Sequence, residues 1–201
     1  MNKKIIPLKF DGINDNIYSG FWLRLGANLL DIIIFMPFAS AILFINSFGL
    51  YIYFVTLIPN LFFLFFYHIY LPKRYGGTPG KLAVGIKIIK IDSSTIGWKE
   101  SILRHSIYLI FSIISISMTI IAIFLADYEI YVNLTTLEKS AYLSRLSPGN
   151  NIISILSNIW VWSEIIMLLF NKRKRAIHDY IAGTVIVKTK YVEEIQERMK
   201  E

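Results

Sequence analysis

Four apolar runs, at roughly residues 20–44, 50–71, 101–125 and 152–170, decide what this chain can become. Each is close to the ~20 residues a helix needs to cross a bilayer. Only 17% of the residues are charged and the mean hydropathy is +0.53. A soluble domain usually carries about 25% charged residues. The expected fold is therefore an all-α membrane protein with four transmembrane helices. The spans belong to a membrane domain over 20–188, between a lead-in at 1–19 and a charged tail at 189–201.

Lys and Arg set the expected orientation, because they are retained on the cytosolic side of short loops. Residues 1–20 hold three, 72–104 hold seven and 171–201 hold eight. The turn near Asn46-Ser47-Phe48-Gly49 holds none, and 126–151 holds Lys139 and Arg145 only. The three basic blocks share one side only with four spans and both termini cytosolic. The same asymmetry accounts for a formal charge of +7 without nucleic acid as a partner. The lead-in Met1-Asn2-Lys3-Lys4-Ile5-Ile6-Pro7-Leu8-Lys9 has no apolar core of 7–15 residues, so it does not read as a cleavable signal. The expected location is a cell membrane crossed several times, with the lipid bilayer as first partner.

The first run contains charges. Arg24, Asn28 and Asp31 recur at steps of four and three, which places them on one helical face. A charge near the bilayer centre costs roughly 2.5–3.5 kcal/mol on insertion scales, so such a stripe needs partners. Depth arithmetic at ~1.5 Å per residue puts Arg24, His68 and Glu164 in a shallow cytosolic layer. It puts Asp31, Asn60 and Asn158 near the midplane, with Asn28 between. One reading is a polar cavity ending at a buried carboxylate that takes a monovalent cation or a proton. The other is an Arg24–Glu164 ion pair and an Asp31 hydrogen bond that hold the bundle together.

Two loops carry signals of their own. Gly76-Gly77-Thr78-Pro79-Gly80-Lys81-Leu82 has the glycine-lysine pair of a phosphate loop but not its spacing. That motif requires glycine where Tyr75 stands and a hydroxyl where Leu82 stands. A tight turn at Thr78-Pro79-Gly80 with Lys81 exposed is the better reading. Val84–Ile91 and Thr184–Lys188 are rich in β-branched residues, and short strands from the two could pair beneath the helices. Ala176–Thr184 reads as a short helix closed by Gly183. In it, His178-Asp179 is read first as structural, bonding to nearby backbone or to a cation such as Lys81 or Arg104.

With no cysteine, and with His68, His105 and His178 far apart, no metal site or cofactor is expected. No catalytic triad, carboxylate pair or nucleotide fingerprint is present, so an enzyme is not expected.

Three separated blocks together resemble the RDD family of bacterial membrane proteins. They are Gly20-Phe21-Trp22-Leu23-Arg24 with Ala27 and Asp31, Gly77-Thr78-Pro79-Gly80-Lys81 with Gly85-Ile86-Lys87-Ile88 and Arg104, and His178-Asp179 with Ala182-Gly183-Thr184-Val185. The family is named for an arginine and two aspartates, which here would be Arg24, Asp31 and Asp179. The resemblance implies transport of an undefined ligand, with cation/proton antiport proposed for some members. Glu164 is outside that pattern. A homo-oligomer is expected, since four helices make a thin wall around a pathway. The alternative is a non-transporting accessory or assembly subunit of a membrane complex, favoured by the ordered loop blocks.

Overall fold

A computed structural model describes residues 5–200 apart from Pro148. Lys3 and Lys4 of the basic lead-in, Pro148 ahead of the fourth apolar run, and Glu201 lie outside the described residues. Four long apolar helices are present among the described residues. The first is α1 (Phe21–Asn46), which holds Pro37. The second is α2 (Ile52–Phe65), continued through a π turn (Phe66–Tyr70) into α3 (Leu71–Tyr75). Pro72 follows that turn. It offers no N–H to the carbonyl four residues back, and the helix widens just ahead of it. A short helix α4 (Pro79–Ala83) and strand β1 (Ile86–Lys90) precede the third long helix, α5 (Trp98–Leu125). Then come α6 (Tyr128–Val132), α7 (Thr136–Leu146) and the fourth long helix, α8 (Asn150–Phe170). The chain ends with α9 (Ile177–Ile181), β2 (Thr184–Lys188), a 3-10 turn and α10 (Val192–Arg198).

The chain divides into two units. One takes in the chain up to Ile34, Phe65–His105, and everything from Val161 on. The other comprises Phe35–Leu64 and Ser106–Trp160.

In the first unit, β1 and β2 pair antiparallel with Ile88 opposite Ile186, as their β-branched runs suggest. Strand β2 is central. Its free edge takes the lead-in through a bridge from Tyr18 to Val187, and Ser19 N–H donates to Ile186 O at 3.0 Å. The pleat separates two apolar clusters. On one face Ile86, Ile88 and Ile186 pack with Ile96 against Ala27 of α1. On the other Ile89, Val185 and Val187 pack with Ile6, Ile17 and Tyr18 of the lead-in and Val192 and Ile195 of α10. The lead-in and the tail therefore both contribute residues to this core. Val192 and Ile195 lie one turn apart, a pair hidden in the sequence by the alternating charges around them. Since lead-in, β1 and tail share one core, they lie on one side of any membrane the helices cross.

In the second unit the polar segment after α5 is helical. Asp127 caps α6 by accepting from Glu129 N–H at 2.9 Å, and Thr135 with Glu138 forms a capping box that starts α7. Leu50, Ile123 and Tyr131 form the local core, and Lys139 Nζ donates to Ser47 O at 2.8 Å. The turn after α1 and the α6–α7 hairpin are thus packed together.

Candidate functional site: two hydrogen-bonded carboxylates

Both charge centres belong to the first unit. The deeper is Asp179, which is fully buried. Its Oδ2 accepts from Arg24 Nη1 at 2.8 Å and from Ala176 N–H at 3.0 Å. Its Oδ1 accepts from Arg104 Nη1 and from Thr184 Oγ1. Arg24 also donates from Nε to Ser19 O and from Nη2 to Lys174 O. Arg175 Nη2 donates to the Asp179 carbonyl at 3.0 Å, and its guanidinium lies 3.9 Å from the Tyr180 ring centre. Burial opposes ionisation of Asp179. The Arg104 and Arg24 guanidiniums outweigh it and hold the carboxyl well below the ordinary 3.8. One carboxylate thus ties α1, α5, α9 and the start of β2 together.

The second centre is Asp31. Its Oδ1 accepts from Tyr67 OH at 2.6 Å and from Gly80 N–H at 2.7 Å. Its Oδ2 accepts from Thr78 Oγ1 at 2.5 Å and faces Lys81 Nζ at 3.6 Å. Lys81 in turn donates to Thr78 Oγ1 at 3.3 Å. Lys81 is therefore not the lone exposed cation the turn suggests. Burial pushes its ammonium below the usual range, and the Asp31 carboxylate opposes that shift. Thr78-Pro79-Gly80-Lys81 opens α4 as a helix start with Pro79 at its first position, rather than ending at a turn. Gly77 is buried beside Lys81, where a Cβ would lie 3.3 Å from the Lys81 side chain.

The expected pathway and loop-motif residues are thus distributed over two centres. The motif at 77–81 holds Asp31, and Arg104 with Asp179 holds Arg24. Two expectations are corrected. Arg24 pairs with Asp179, not with Glu164. Glu164 is buried, and its Oε1 accepts from His178 N–H at 3.0 Å. Its Oε2 lies 2.5 Å from His178 Nδ1, close but outside hydrogen-bond alignment. Asn28 is exposed and joins neither centre. At roughly 100° per residue, Ala27 and Asp31 lie about 60° and 20° to one side of Arg24, and Asn28 about 40° to the other. Of the expected midplane residues, Asp31 belongs to the first unit. Asn60 and Asn158 belong to the second unit, where Asn158 is exposed and donates to Ser154 O of its own helix.

Sequence reasoning missed Tyr67, Arg175 and the carbonyls of Ser19 and Lys174. Only Tyr67 left a signal, a phenol inside an apolar run beside His68. It also missed that His68 and His105 stack in parallel, with ring centres 4.5 Å apart and planes 7° apart. Among the described residues, no three His or acidic side chains form a group able to hold a metal ion.

Residues 18–183 match the RDD family. The chain belongs to the RDD family. No curated protein and no solved structure matches it. In this RDD protein the arginine and two aspartates of the expected motif are all held in hydrogen-bond networks, with Arg24 and Asp179 buried and Asp31 partly so.

The Arg24–Asp179 pair makes a charge-exchange test decisive. Arg24→Glu should lower protein level and melting temperature, and adding Glu164→Arg should recover nothing, because the partner is Asp179. Thermal melting in detergent checks this. Recovery in the double variant would reinstate the Arg24–Glu164 pair.

Proposed function

We propose that this RDD protein is a multi-pass protein of the bacterial cytoplasmic membrane, working as a non-transporting accessory or assembly subunit. In this reading its sheet and both termini face the cytosol, in line with the Lys and Arg distribution. Its partners are the bilayer and neighbouring membrane subunits, further copies of itself among them. The saturation of both RDD carboxylates carries the reading. Asp31 has three hydrogen-bond donors and a lysine. Asp179 has donors on both oxygens and two guanidiniums. A carboxylate that exchanges protons for cations has to be released and re-bound in each cycle. Here release strands buried partners that find no substitute in lipid. Such a pair fastens helices to the sheet that other subunits can engage.

Cation/proton antiport through Arg24 and Asp31 is the reading this displaces. Purified protein in vesicles loaded with a pH-sensitive dye separates the two. With Na⁺, K⁺ or Li⁺ added in turn, proton flux should not exceed that of protein-free vesicles. Asp31→Asn should act on stability instead, lowering the melting temperature, since its amide offers Thr78 no second acceptor. Wild-type flux that disappears in a still-folded Asp31→Asn variant would restore antiport.

A further inference from the structure

The second unit contains an open cleft of about 340 Å³ among α2, α5 and α8. It is lined by Asn60, Ser112, Ser115 and Ser157, by the phenols of Tyr53 and Tyr108, and by apolar side chains. All sit in helices long and apolar enough to cross a membrane. What sets the lining apart is where its polar groups go. Ser117 and Thr119 of α5, facing elsewhere, donate to the carbonyls of Ile113 and Ser115 at 2.9 Å. Asn158 of α8 does the same to Ser154 O. That is how a polar side chain on an apolar helix is ordinarily satisfied. The side chains of Asn60, Ser112, Ser115 and Ser157 make no hydrogen bond among the described residues. Four polar side chains on three helices line this one open cleft and leave their hydrogen-bonding capacity free for a guest.

We propose that this cleft binds a small uncharged polyhydroxylated molecule, of the glycerol or cyclitol kind. Three hydroxyls that donate and accept, and an amide that does both, match a guest whose hydroxyls do the same. The lining carries no charge of either sign, so an ion there would lack a counter-charge in a low-dielectric setting. Size points the same way. One water occupies roughly 10–15 Å³ of such space, so the cleft exceeds a bare ion or a single water many times over. Apolar lining from Leu64, Phe111, Ile116 and Ile153 suits the C–H face of a polyol. The site lies in a different unit from the RDD carboxylates and stands or falls without them.

The test is equilibrium binding of tritiated glycerol and tritiated myo-inositol to full-length protein in nanodiscs. Saturable binding of at least one is expected. Asn60→Leu and Ser157→Ala should each weaken it fivefold or more, and Ser117→Ala should not. Melting temperature and particle mass are read on every variant, so a misfolded Asn60→Leu leaves Ser157→Ala to decide. The proposal is overturned if neither polyol binds saturably up to 100 mM. It is overturned too if Na⁺ or K⁺ displaces the label competitively, or if Ser157→Ala changes particle mass with binding intact. The last result would make the cleft a helix-docking surface.

Discussion

Asp179→Ala is expected to be the most damaging single change in the first unit. It removes the acceptor of Arg24 and Arg104 while leaving both guanidiniums in place, and it uncouples Thr184 and Ala176. Removing one partner from a buried ion pair typically costs about 3–5 kcal/mol, because the other charge remains buried and unpaired. Two stranded arginines put this case at the upper end. For a chain of this length that corresponds to a melting temperature lower by roughly 10 °C or more. Asp179→Asn keeps the shape and one acceptor oxygen, and should fall between wild type and alanine. The pH dependence has a definite sign. The folded-state acid constant lies below the ordinary 3.8, so the unfolded chain takes up the proton first. The contribution is complete at neutral pH, starts to decline as pH falls below about 4, and is gone only once pH has passed the depressed folded-state value. Melting followed from pH 7 to about pH 2.5 should show a constant gap between wild type and the alanine variant down to about pH 4, narrowing below it. A gap that stays constant below about pH 4 would remove the Asp179 charge from the explanation.

The spans and the two strands were legible because both are local patterns. A run of about twenty apolar residues and a β-branched stretch each announce themselves within a window. The pairing of charges was not legible, since Arg24 and Asp179 are 155 residues apart and Arg104 and Asp179 are 75 apart. Depth arithmetic failed for a physical reason. It treated Gly20 and Leu71 as the edges of a slab and left the loops outside it. The segment 76–83 instead folds back onto the third turn of α1 and delivers Thr78, Gly80 and Lys81 to Asp31. Glu164 was misassigned by the same assumption. Two opposite charges at equal depth look like partners only while the loops are held apart, and His178 arrives on one of those loops. Helical spacing put Arg24, Asn28 and Asp31 on one stripe, but the stripe is wider than the contact, and Asn28 falls at its exposed margin.

The contact between α1 and α4 yields the other large expected effect, at Gly80. Its amide donates to Asp31 while its Cα lies against the backbone of α1. A Cβ on this residue would stand 2.3 Å from Ala27 O and 2.6 Å from Asp31 Oδ1. Ala27 O belongs to the main chain of α1 and cannot rotate away. Gly80→Ala therefore has to push α4 off α1. That lengthens the bonds Asp31 accepts from Gly80 and Thr78, and it opens the packing of Ala27 on Ile86 and Ile88. Overpacking a tight contact costs about 1–3 kcal/mol. Each weakened hydrogen bond to a charged group adds up to about 1.5–3 kcal/mol. The expected loss is thus comparable with that of Asp179→Ala, from a single methyl group. Gly26→Ala, on the same helix, is the control. A Cβ there meets nothing within 4 Å, and replacing glycine inside a helix by alanine gains up to about 1 kcal/mol. Melting in detergent should move the two variants in opposite directions from wild type. If Gly80→Ala melts with wild type, the close approach of α4 to α1 is not what holds the 77–81 segment on Asp31. The side-chain bonds from Tyr67 and Thr78 alone would then account for it.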